Sequence, residues 1–186
     1  MLITGGTGFV GSHVAVKFAQ EGFEVVAYDN RPRKLDYLEG WLDRITVVRG
    51  DITDLRHLME TTEGHRVDGI IYTAAMPNEE FLLANPLEGF EVNVGGTLNV
   101  LEAARVKQLR RVVYTSTGAM FGRRRNLNPI RETHPLSPSN LYSTTKRISE
   151  LLMDVYHVVY GMDTVIVRLS HVYGPGLLEG DERTTY

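Results

Sequence analysis

Tyr142 and Lys146 lie four residues apart in Tyr-Ser-Thr-Thr-Lys, a spacing that puts both side chains on one face of a helix. A tyrosine hydroxyl has an ordinary pKa of about 10, so it serves as a base near neutrality only where a neighbouring positive charge favours the phenolate. Lys146 supplies such a charge. Thr117, in Thr-Ser-Thr-Gly after a β-rich run, adds a hydroxyl able to orient a reacting oxygen. Together the three suit the movement of a proton on and off a substrate hydroxyl. A Tyr-x-x-x-Lys pair alone is equally the aromatic anchor and solvated rim of an amphipathic helix, so its chemistry rests on what accompanies it.

What accompanies it is a glycine-rich turn, Gly5-Gly6-Thr7-Gly8-Phe9-Val10-Gly11, between an apolar run and a helical pattern. Glycines there allow a tight turn, a close backbone approach to a pyrophosphate and close helix packing, while the helix N-terminus offers amides to the anion. Asp29 ends the next apolar run, close to the expected spacing for the acid that accepts from an adenosine ribose. A carboxylate there favours NAD over NADP, although Arg31 and Arg33 lie close enough to blur the preference. Asp51, in Arg-Gly-Asp-Ile, reads either as an acceptor for the adenine amino group or as a helix N-cap near Asp54.

The elements that must position these groups are legible as an alternation. Leu2 to Thr4, Glu24 to Tyr28, Ile45 to Arg49, Gly69 to Thr73, Arg111 to Thr115 and Thr164 to Leu169 read as strands. Gly11 to Gln20, Thr53 to Thr61, Pro86 to Arg105 and Ser143 to Tyr160 carry helical periodicity. Six strands joined by crossovers predict a doubly wound parallel α/β sheet of Rossmann type, covered on both faces. Ala75 to Asn85 and Thr117 to Asn140 break the repeat as long loops after strand ends, where open α/β sheets bind ligands.

The 186 residues are 42% hydrophobic with a net charge of -3, within the range of one globular domain and without a basic surface for nucleic acid. Cysteine is absent, which excludes disulfides, thiolate metal ligands and thiol nucleophiles and is compatible with a reducing compartment; no metal is expected, and the cytoplasm is the expected location. The opening MLITGGTG is too short and uncharged for a signal peptide, and no apolar run reaches the roughly 20 residues of a membrane span.

With these residues in view, the chain resembles the NAD-dependent epimerase/dehydratase family, in the extended branch of the short-chain dehydrogenase/reductase superfamily. The likeness runs through Thr4 to Gly11, Tyr28-Asp29-Asn30, Gly50-Asp51-Ile52, Ala74-Ala75, Asn93-Val94-Gly95-Gly96-Thr97, Tyr142 with Lys146, and Arg168 to Pro175. It implies that Gly5, Thr7, Gly8, Phe9, Val10, Gly11, Asp29, Asn30, Asp51, Ile52, Ala74, Ala75, Asn93 and Ser116 contact NAD. It also implies that Tyr142 exchanges a proton with a substrate hydroxyl, that Lys146 holds the nicotinamide ribose, and that Thr117 touches the substrate. Asn93 takes either a structural or a water-holding role. The substrate implied is a small molecule, a sugar nucleotide or related sugar.

Departures from the family pattern narrow the chemistry. Gly118 and Ala119 follow Thr117 where dehydratases of the family carry Asp-Glu, which disfavours elimination of water. An epimerase is expected; a sugar or sugar-acid dehydrogenase releasing NADH and a dinucleotide-binding module without turnover are the alternatives. His171 stands where the family commonly has a substrate-contacting asparagine, and reads as a donor to an anion or as a packed loop residue. Arg123-Arg124-Arg125 reads as a partner for an acidic substrate group or as solvated charge. Residues 1–174 are expected to form the NAD-binding domain and 175–186 the start of a substrate lobe that is otherwise missing. The helices Pro86 to Arg105 and Ser143 to Tyr160 resemble those through which the family forms homodimers.

Overall fold

Short apolar runs closed by glycine or polar turns become strands, and longer stretches with apolar residues at helical spacing become the crossovers between them. The computed structural model of the chain describes residues 1–33, 35–122 and 129–174. In chain order these form β1 (Leu2–Thr4), α1 (Phe9–Gln20), β2 (Val25–Asp29), α2 (Leu35–Leu38), β3 (Ile45–Arg49), α3 (Leu55–Gly64), β4 (Gly69–Tyr72), α4 (Glu79–Ala84), α5 (Pro86–Phe90), α6 (Gly96–Val106), β5 (Arg111–Thr117), α7 (Leu141–Tyr160) and β6 (Thr164–Leu169). A π turn, Glu91–Gly95, joins α5 to α6, and a 3-10 turn, Gly118–Phe121, follows β5.

All six strands are parallel, in the order β3-β2-β1-β4-β5-β6. This is the predicted Rossmann arrangement, and the reversal of order between β1 and β4 opens a crevice at their C-terminal ends. Alternation along the strands sends Leu2, Val26, Tyr28, Ile70, Tyr72 and Tyr114 to one face, against Leu58, Val100, Leu101, Met153 and Tyr156 of α3, α6 and α7. Ile3, Val25, Ala27 and Ile71 point the other way, onto Ala15, Val16 and Ala19 of α1 and Leu38 of α2. Each fully buried side chain of this size contributes about 1.5–3 kcal/mol.

The second face is covered unevenly. α1 packs on β1, β2 and β3, whereas β5 and β6 receive α7 on one side only, and Val167 of β6 stays 39% exposed. Among the described residues, both faces of the sheet are therefore covered from β3 through β4, where Ile71 packs with the α1 residues, and less fully at β6.

Several elements differ from expectation, the short α2 and the 3-10 turn after β5 among them. The predicted loop Ala75 to Asn85 contains α4, capped by Asn78, whose side chain accepts from Phe81 N. β5 runs two residues further than predicted because β6 continues to pair with it, Ser116 opposite Arg168 and Thr117 opposite Leu169. The single helix predicted over Pro86 to Arg105 is interrupted by the π turn. Arg123-Arg124-Arg125 and the segment 175–186 lie outside the described residues.

Candidate active site

The crevice begins where β1 and β4 end side by side, with Thr73 Oγ1 donating to Thr4 O at 2.6 Å. Gly8 N donates to Gly5 O at 2.9 Å and closes the glycine turn, while Gly5 sits at φ +64, a conformation glycine adopts without strain. A Cβ on Gly6 would lie 2.6 Å from Ile3 O, and one on Gly11 would overlap Gly5 O. Phe9 and Val10 open α1, which is capped by Gly8 without a side-chain hydrogen bond and has no acid in its first turn. Its amides and the positive end of its dipole are thus arranged for an anion.

Asp29 binds the turn to the end of β2. Its Oδ2 accepts from Thr7 Oγ1 at 2.7 Å and Thr7 N at 3.2 Å, its Oδ1 accepts from Arg31 N at 3.0 Å, and Arg33 N donates to Thr7 Oγ1 at 3.0 Å. Asp51 accepts from Asn30 Nδ2 at 2.8 Å and from Thr53 N and Oγ1 at 2.9 and 2.8 Å. Burial pushes the Asp51 carboxyl up, but the Thr53 and Asn30 hydrogen bonds and the Arg31 charge hold it below the usual range. The helix-cap reading of Asp51 is corrected, since Asp54 caps α3 by accepting from His57 N at 3.0 Å.

Gly5, Thr7, Gly8, Asp29, Asn30, Arg31, Arg33, Asp51, Ile52, Ala74 and Ala75 line a cleft of about 510 Å³ that continues to a lip of Met76, Pro77, Asn78 and Phe81. Phosphate donors at one point and carboxylates further along fit a long anionic ligand bearing a diol, as the adenosine diphosphate part of a dinucleotide does.

Asn93, buried in the π turn, pins the lip. Its Oδ1 accepts from Met76 N at 2.7 Å, and its Nδ2 donates to Met76 O and Thr145 Oγ1, both at 3.1 Å. The Asn93 carbonyl accepts from Thr97 Oγ1 at 2.6 Å and Ser149 Oγ at 3.0 Å. Of the two roles left open for Asn93, these contacts describe the structural one.

Tyr142 and Lys146 occupy the first two turns of α7, at the same edge of the sheet. Lys146 is buried, donating from Nζ to Thr115 O at 2.6 Å and lying 4.1 Å from the centroid of the Tyr114 ring. Burial pulls its pKa down to about 7, and the Glu150 carboxylate opposes that fall. Glu150 is itself fully buried, gripped by Arg168 Nε and NH2 at 2.8 and 2.9 Å and by Arg147 NH1 at 3.1 Å. Burial pushes its carboxyl up, yet these guanidinium contacts hold it below the usual range. Thr117 is the last residue of β5 and accepts from Ala119 N at 3.1 Å, whereas Ser116 is buried on the opposite face of the strand.

Two carboxylates at this edge escaped the sequence reading. Glu150 carried a signal, one helical turn beyond Lys146, but its arginine partner comes from another strand. Glu79 carried none: its oxygens accept from Leu141 N at 3.1 Å and Tyr142 N at 3.2 Å. His171 lies just past β6 and is exposed, so its reading as a packed loop residue does not hold.

Residues 1–185 match the model of a family described as NAD dependent epimerase/dehydratase family. A putative UDP-glucose 4-epimerase of Methanocaldococcus jannaschii is 32% identical over 174 residues, which cover 94% of this chain and 56% of that protein. A UDP-glucose 4-epimerase of Thermus thermophilus in complex with NAD superposes with a TM-score of 0.90 at 31% identity, over 98% of this chain and 58% of that one. A UDP-glucose 4-epimerase of Thermotoga maritima with UDP-glucose gives a TM-score of 0.86 at 27% identity, over 94% of this chain and 56% of that one. The chain spans little more than half the length of these relatives.

Proposed function

We propose, from the premise that the chain belongs to the NAD dependent epimerase/dehydratase family, that it forms the cofactor-binding and proton-transferring part of an NAD-dependent epimerase acting on a sugar nucleotide. The observation that carries this reading is the setting of Tyr142 and Lys146 at the start of α7, which Glu79 and the Met76–Asn93–Thr145 bonds tie to the lip of a cleft walled by the glycine turn and Asp29. The NAD-bound relative from Thermus thermophilus supports the cofactor, and the UDP-glucose complex from Thermotoga maritima supports the substrate class.

Gly5, Thr7, Gly8, Phe9, Val10 and Gly11 would hold the pyrophosphate, Asp29 and Asn30 the adenosine ribose, and Asp51 and Ile52 the adenine, with Ala74, Ala75, Asn93 and Ser116 nearer the nicotinamide end. When bound, NAD supplies reversible removal of a hydride from the carbon bearing the hydroxyl, and its return to the opposite face inverts that carbon without net oxidation. Tyr142 takes the hydroxyl proton and gives it back. Protonated Lys146 favours the phenolate by its charge and has two further N–H groups beyond the one on Thr115 O for the ribose hydroxyls. Thr117 orients the reacting oxygen, and His171, exposed past β6, is available to the nucleotide phosphates. Gly118 and Ala119 offer no acid or base with which to expel water, which favours epimerisation over dehydration.

The test is turnover of the whole protein on paired nucleotide sugars with NAD. Interconversion of the two epimers without accumulation of NADH absorbance is expected; NADH growing in step with product would make the protein a dehydrogenase instead.

A homodimer belongs to the same proposal. The outer faces of α6 and α7 expose Leu98, Leu151, Val155, Val158 and Val159, and Val158 is 79% exposed. A two-fold pairing of such helices would cover them. Light scattering giving a monomer mass at micromolar concentration would refute it. No described helix is long and apolar enough to cross a membrane. The cytoplasm is the proposed setting, supported by the absence of cysteine.

A further inference from the structure

We infer that Glu79 is a positioning residue, holding the first turn of α7, and with it Tyr142, against the lip of the cofactor cleft. The inference rests on the proposed role of Tyr142 and on how the helix start is satisfied. A helix leaves its first four amides without intrahelical partners. In α7 these belong to Asn140, Leu141, Tyr142 and Ser143. A capping box satisfies the outer two: Ser143 N donates to Asn140 Oδ1 at 2.8 Å, and Asn140 N donates to Ser143 Oγ at 3.3 Å. The middle two go to Glu79, Leu141 N to Oε1 and Tyr142 N to Oε2. Glu79 therefore does for the Tyr142 amide what the local sequence leaves undone, and its charge lies at the positive end of the α7 dipole.

The opposite end of this tether is the cleft. Glu79 is the first residue of α4, whose cap Asn78 and third residue Phe81 both line it. A second, independent tether runs from Met76 through Asn93 to Thr145, on the turn that follows Tyr142. Met76 to Glu79 is thereby strapped to α7 at both ends. A ligand seated against the lip bears on the same short segment that fixes the tyrosine backbone.

Glu79→Ala and Glu79→Gln in the whole protein test this, with kcat, KM for the nucleotide sugar and NAD affinity measured alongside amide hydrogen exchange across α7. Glu79→Ala should lower kcat at least tenfold with KM and NAD affinity within twofold, and Glu79→Gln, which keeps one acceptor oxygen, should fall between. The Leu141 and Tyr142 amides should both exchange at least tenfold faster in Glu79→Ala, and one of them in Glu79→Gln, while the rest of α7 keeps its protection. If Glu79→Ala does not fold, Glu79→Gln carries the same measurements. An unchanged kcat, a loss of NAD affinity in step with kcat, or unchanged exchange at the two amides would each overturn the assignment. Absence of turnover in the unmodified protein would instead sink the proposed activity, leaving hydrogen exchange to decide the role of Glu79.

Discussion

Lys146 donates to the carbonyl oxygen of Thr115 at 2.6 Å, tying the ammonium on α7 to the strand that ends in Thr117. That burial has a pH signature. The folded pKa of Lys146 falls from 10.5 to about 7, so between these values the unfolded chain holds a proton that the folded one has released. Stability contributed by this group must then rise with pH across the window. Urea unfolding at pH 7 and pH 9 should show the protein gaining on the order of 1–3 kcal/mol from this source, a gain missing in Lys146→Met. Equal pH dependence in the two proteins would show that the lysine is not buried as described.

Tyr142→Phe removes only the hydroxyl. Turnover should drop about 10²- to 10⁴-fold while NAD binds as before. Thr117→Val should lower kcat less, since it loses an orienting hydrogen bond rather than the proton carrier. Calorimetric titration with NAD, run beside the kinetics, separates these effects from a damaged cleft; retention of full turnover by Tyr142→Phe would end the catalytic reading.

Asp29 serves two clients, since the carboxylate proposed to meet the ribose also holds Thr7 N and Oγ1. Asp29→Asn should weaken NAD binding about tenfold or more, because bonds to a charged acceptor are the stronger ones. Loss of the negative charge should at the same time narrow the preference for NAD over NADP, with Arg31 and Arg33 left on the wall. Parallel weakening of both dinucleotides would mean that only the loop contact matters.

Asn93→Ala removes the side-chain partner of Met76 N and Met76 O and one of the two bonds of Thr145 Oγ1, which still donates to Tyr142 O. A cost of about 2–4 kcal/mol follows for a buried group with this many bonds. Chemical denaturation would read it; a midpoint within experimental error of the parent would contradict the clamp.

The strands were legible because buried parallel strands are plain apolar runs, and Gly5 to Gly11, Asp29, Tyr142 and Lys146 because their spacing is local. What stayed hidden depended on contacts between distant parts of the chain. α4 has only six residues, its apolar Phe81, Leu82 and Leu83 are consecutive rather than spaced by helical turns, and Pro77 and Pro86 flank it as breakers. Glu79 meets Leu141 across 62 residues, a distance that no periodicity encodes. Asp51 and Asp54 could both cap α3 on sequence grounds, and the choice was made by Asn30, which reaches Asp51 from the end of β2. Thr117 joined β5 because β6 supplied a partner for its backbone.

The π turn at Glu91–Gly95 acts as a phase shifter. An α-helix advances about 100° per residue, and a turn whose hydrogen bonds reach back five residues takes up one extra residue, offsetting the sequence repeat beyond it by about that angle. Val92, within the turn, packs against the same core as Val100, Leu101 and Ala104 beyond it, and with Glu88 it also lines the cleft. On a uniform helix Val92 would lie about 130° from the centre of the stripe that Val100, Leu101 and Ala104 form. The wider turn thereby lets Val92 and the apolar face of α6 share one core.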